Sequence, residues 1–61
     1  MEGAKMQAQF VARDSEENII VFYASCMAAA IKGLKKPDAS GVAAMEHGQI
    51  KEVGADTWTT F

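Results

Sequence analysis

The run Ile19-Ile20-Val21-Phe22-Tyr23-Ala24-Ser25-Cys26-Met27-Ala28-Ala29-Ala30-Ile31 is apolar or small throughout, in a chain of 61 residues. Whatever it folds into must be covered, and few residues remain to cover it. Read as a helix, the run shows no single apolar stripe. A helix apolar on every side must be enclosed on every side.

Flanking signals favour that helix. Asp14 and Ser15 are N-cap types, and Asp14 with Glu17 has the spacing of a capping box. Glu16 and Glu17 suit the positive end of a macrodipole, and Lys32, Lys35 and Lys36 suit the negative end. Pro37 stops the element. The signals bracket about 21 residues, roughly 32 Å of helix, which matches the hydrocarbon core of a bilayer. The expected fold is therefore mainly α. A central helix over residues 15–36 is a single membrane span, residues 1–13 are a surface helix or arm, and residues 38–61 are a largely irregular tail. Lysines after the span and only Arg13 before it place the C-terminal side on the matrix, stroma or cytoplasm.

Composition removes other solutions. Six Lys and Arg against eight Asp and Glu give a net charge of −2, without the basic stripe of a nucleic-acid binder. One cysteine makes no internal disulfide, and one Cys with one His makes no standard zinc site. A core this small usually needs outside support. No cofactor is expected. The first residues read neither as a secretory signal nor as a transit peptide.

Within the run, small residues recur four apart: Ala24 with Ala28, and Ser25 with Ala29. That spacing lets helices approach closely in a membrane, so these four are the expected helix-packing positions. Cys26 reads as a small buried hydrophobe. In the tail, Asp38 or Ser40 would cap a short helix from Val42 to Glu46, Gly54-Ala55-Asp56 reads as a turn, and Thr57–Phe61 is rich in strand formers. Trp58 and Phe61 are the expected partner-docking anchors. His47 beside Glu46 is the only conventional acid–base pair, and neighbours on a helix point apart.

The segment Ile20-Val21-Phe22-Tyr23-Ala24-Ser25-Cys26 resembles the strand leading into the redox motif of thioredoxin-like proteins. The β-branched start suits a strand. The likeness covers about seven residues. The Trp usual before the cysteine is absent, Met27-Ala28-Ala29 stands where Gly-Pro-Cys would, and no second cysteine exists. A dithiol exchange site is therefore excluded, and the chain is too short for that fold.

The functional expectation is a small single-pass accessory subunit of a multisubunit membrane complex, respiratory or photosynthetic, with a structural role and no reaction of its own. Its partners would be other subunits and lipid, with no nucleic acid. Its place would be the mitochondrial inner membrane or the thylakoid. The alternative is a soluble helical module that homo-oligomerises through the central helix. An enzymatic role would require His47 to serve a shared site.

Overall fold

The computed structural model describes residues 6–61. The chain forms β1 (Ala8–Arg13), β2 (Ile19–Ala24), α1 (Met27–Lys35), β3 (Gln49–Glu52) and β4 (Thr59–Thr60). The strands make one antiparallel sheet in the order β2-β1-β3-β4. Since β2 and β3 both flank β1, β2-α1-β3 is a split β-α-β unit with β1 in the gap.

The apolar run divides in two. Its first half carries Ile19, Ile20, Val21, Phe22 and Tyr23, branched or aromatic side chains that suit a pleated surface better than a helix. Asp14 caps no helix. One carboxylate oxygen accepts the Glu16 and Asn18 amides at 2.9 and 3.0 Å, and the other accepts the Asn18 side-chain amide at 3.0 Å. Glu17 takes the left-handed conformation with φ 67°, and the Asp14 amide donates to the Asn18 carbonyl. What resembles a capping box is the closing loop of a β1–β2 hairpin.

The second half is α1, nine residues long. Ala30 and Leu34 are buried, and Met27 and Ile31 pack beside them. These positions make the ordinary stripe of a helix covered on one side. Lys32 and Lys35 occupy the last turn, and Lys36 ends it before Pro37. The stop expected there forms, whereas the start lies at Cys26 rather than Asp14.

The mainly α reading is thus corrected, because a four-stranded sheet with one short helix replaces it. No helix among the described residues is long and apolar enough to cross a membrane. The single-pass helix expected over residues 15–36 does not form, and the lysine-based orientation that depended on it goes with it. The placement in an inner membrane or thylakoid, and the respiratory-chain role, lose the span they rested on. The expected N-terminal helix or arm is strand β1 over Ala8–Arg13, and residues 1–5 lie outside the described part. The tail is irregular over most of its length, but it also supplies β3 and β4 and so joins the sheet. Between α1 and β3 no helix spans Val42–Glu46. Instead the Asp38 carboxylate accepts from the Ser40 amide, the Ser40 hydroxyl and the Val42 amide, with Gly41 left-handed beside it. A turn does form at Gly54, with φ 99°.

The core lies between α1 and one sheet face. Phe10 and Ala12 from β1, Ala24 from β2, Ile50 from β3, Ala30 and Leu34 from α1, and Met45 from the connecting loop are buried. The Phe10 and Phe22 rings stack across β1 and β2 at 6.3 Å between centroids.

Both carboxylate-centred loops give acid sensitivity. Asp14 lies below its ordinary pKa of 3.8, chiefly through the Asn18 side-chain hydrogen bond. Asp38 lies below the same value, chiefly through the Ser40 hydroxyl. A carboxyl depressed in the folded state stabilises fully above its unfolded pKa and loses that contribution as pH falls through the folded one. The urea midpoint should hold steady from neutrality to about pH 5 and decline below about pH 4. In Asp14→Asn with Asp38→Asn the decline should flatten. A double variant as acid-sensitive as the parent would place the titrating groups elsewhere.

Candidate functional site

The hydrogen-bond pattern of the hairpin decides which backbone groups remain free. The Asp14 amide donates to the Asn18 carbonyl, so this is a hydrogen-bonded pair, and such pairs alternate along an antiparallel ladder. With Ala12 opposite Ile20 and Phe10 opposite Phe22, β2 turns its even-numbered N–H and C=O groups toward β1. The backbone groups of Ile19, Val21 and Tyr23 point away from the sheet. Bonding of the Val53 amide to the Gln9 carbonyl, on the other side of β1, fits the same alternation. Among the described residues no strand pairs with that outer side of β2.

The side chains are as unprotected as the backbone. Ile19, Val21 and Tyr23 are 68, 52 and 64 % exposed. No charge, proline or glycine occurs from Ile19 to Ala24. Natural edge strands are usually kept short, charged or bulged, and β2 has six residues without such protection. The opposite edge, β4, has two.

Across β1, β3 and the residue before β4, the sheet face away from α1 carries a second cluster. The Arg13 guanidinium lies 3.9 Å from the Trp58 ring centroid, and the Lys51 ammonium lies 5.0 Å from it. Arg13 Nε also donates to Gln49 Oε1 at 3.1 Å, and Lys51 Nζ donates to the Ala55 carbonyl at 3.0 Å. Trp58 is thereby engaged by two cations of its own sheet. Phe61 lies toward the core face, packed beside it, with the Lys35 ammonium 5.9 Å from its ring. The two expected anchors are half-buried on opposite sides of the sheet and form no common patch.

The four expected helix-packing residues are also separated. Ala24 is buried at the end of β2, Ser25 is exposed in the bend, and Ala28 and Ala29 face outward from α1. Cys26 is exposed at the start of α1. Its thiol makes no capping hydrogen bond, but the nearby Ala29 amide holds its pKa below the ordinary thiol value. The strand-then-cysteine order of the thioredoxin-like resemblance occurs here locally, in a different fold. His47 is exposed beside a shallow depression that also borders Asp14 and Phe61. Among the described residues no group of three or more His, Cys, Asp or Glu side chains is placed to hold a metal ion.

Comparison with protein-family models, curated proteins and solved structures finds no match for this chain. The β2 edge is absent from the sequence-derived candidates because it is a property of strand order. A local signal existed in the branched and aromatic residues from Ile19 to Tyr23, which the reading assigned to a helix.

Proposed function

We propose that this chain is an interaction module that works by strand addition and carries out no reaction of its own. The observation that carries this reading is the β2 edge, uncharged and unpaired among the described residues, where three residues turn backbone donors and acceptors outward next to exposed apolar side chains. An extended partner strand laid there gains main-chain hydrogen bonds for affinity and alternate side-chain contacts for specificity. This reading keeps a structural role, with a sheet edge in place of an apolar helix.

Val21 is the residue to change. Its side chain is half-exposed and its N–H faces outward, so a lysine there charges the edge without entering the core. The tagged native chain, recovered under mild conditions from the cells that make it, should retain a partner polypeptide, which is allowed to be a second copy. Val21→Lys should lose that partner and keep the circular dichroism of the native sheet. A partner retained equally by both chains would overturn the assignment to β2.

A further inference from the structure

Resting on that reading of β2, we infer that the strand added there is β2 of a second copy, antiparallel about a two-fold axis through Val21. The outward groups set the register. Ile19, Val21 and Tyr23 are the residues with free backbone bonds, so an antiparallel ladder that uses all of them pairs Ile19 with Tyr23 of the second copy and Val21 with Val21. Each such pair exchanges two hydrogen bonds. Between them fall the pairs Ile20 with Phe22, on the face that carries α1.

The strand matches itself chemically. On the open face each exposed Tyr23 meets an exposed Ile19, and the two Val21 side chains meet at the axis. Aromatic and β-branched cross-strand pairs are favourable combinations. No charged side chain lies between Ile19 and Ala24, so no like charges are brought together within the ladder.

The ends of the ladder are complementary as well. Helix α1 begins just after β2 without a side-chain cap and without an acidic residue in its first turn. The same register carries the Glu16–Glu17 turn of the second copy toward Ser25 and Cys26, where α1 starts. Carboxylates are favourable at that positive end of the helix. The arrangement also terminates. An isologous two-fold contact consumes the long edge of both copies, and what remains outside is the two-residue β4 on either side. The result is a closed dimer with one continuous sheet of eight strands, twice the four of one copy.

Sedimentation equilibrium of the full chain should show a dimer, and Val21→Lys, which sets two ammonium groups at the axis, should sediment as a folded monomer. Cross-linking in a Cys26→Ser background provides a readout that does not require dissociation. Cα atoms in a hydrogen-bonded antiparallel pair lie about 5.5 Å apart, within disulfide reach. Val21→Cys should therefore form a covalent dimer under mild oxidation. Ile19→Cys and Tyr23→Cys should cross-link when mixed, and Ile20→Cys should not cross-link with itself. A native chain that is monomeric at all concentrations overturns the second copy as occupant. If Val21→Lys still loses a cellular partner, the edge reading stands without it. A dimer that persists in Val21→Lys, with Val21→Cys left unlinked, forms through another surface and likewise overturns the second copy as the occupant of β2.

Discussion

Ile50→Ala should leave most of the chain unfolded at room temperature. Among the described residues Ile50 is the one large side chain with no exposed surface, and it stands on β3 where β1, α1 and the Met45 loop converge. Cutting a buried isoleucine to alanine costs about 2–5 kcal/mol. A core of this size seldom supplies more than about 3–5 kcal/mol in total. Half of the six other core residues, Ala12, Ala24 and Ala30, have no flexible side chains to move into the gap. Circular dichroism should show loss of the strand signal without denaturant. Ile50→Val, which removes one methyl group, should stay folded with a urea midpoint lowered by about 0.5–1.5 kcal/mol equivalent. An Ile50→Ala chain that unfolds cooperatively within about 1 kcal/mol of the parent would contradict this account of the core.

Gly48→Ala should be the second severe change. A methyl group there would overlap the carbonyl oxygen of Arg13 and lie 3.2 Å from both the Arg13 carbonyl carbon and the Met45 sulfur. The first obstacle is backbone, and it cannot give way cheaply. Arg13 is paired with Gln49 in the β1–β3 ladder, while Gly48 exchanges two hydrogen bonds with Phe61. Relief requires β3 and β4 to separate from β1 at that end. The expected loss is about 1–3 kcal/mol or more, with a change in Trp58 fluorescence as the ring leaves the Arg13 guanidinium. Gly33→Ala is the contrasting case. Nothing lies within 4 Å of an added methyl group there, so removing a glycine from the helix interior should stabilise by about 0.5–1 kcal/mol. Thermal melts of the two variants should move in opposite directions.

Local features of the chain were partly readable from sequence. Pro37 and the lysines before it do end α1. Asp14 and Asp38 do organise backbone through their carboxylates, although both close loops. The failure lay in the thirteen-residue stretch from Ile19 to Ile31. Ser25 and Cys26, where strand gives way to helix, are small enough to pass as part of either element. The alternation along β2 was also hidden, since both of its faces are apolar: Phe22 and Ala24 turn inward, while Ile19, Val21 and Tyr23 turn outward. The chain covers part of the run by halving it and folding α1 over the sheet that contains β2. The edge was not readable, because it depends on β4 pairing with β3 rather than with β2, a choice made by residues far apart.

The position of β1 has a consequence for how the molecule is assembled. Val11 pairs with Val21 on one side and with Lys51 on the other. The first contact closes across a short turn, on the microsecond scale of a hairpin. The second waits for a segment four times as distant along the chain, and distant contacts form more slowly. In that interval the first two strands are a ribbon with both borders bare, one of which β3 later occupies. Speed of closure on the β3 side, more than final stability, then decides how much newly made chain is lost to wrong neighbours.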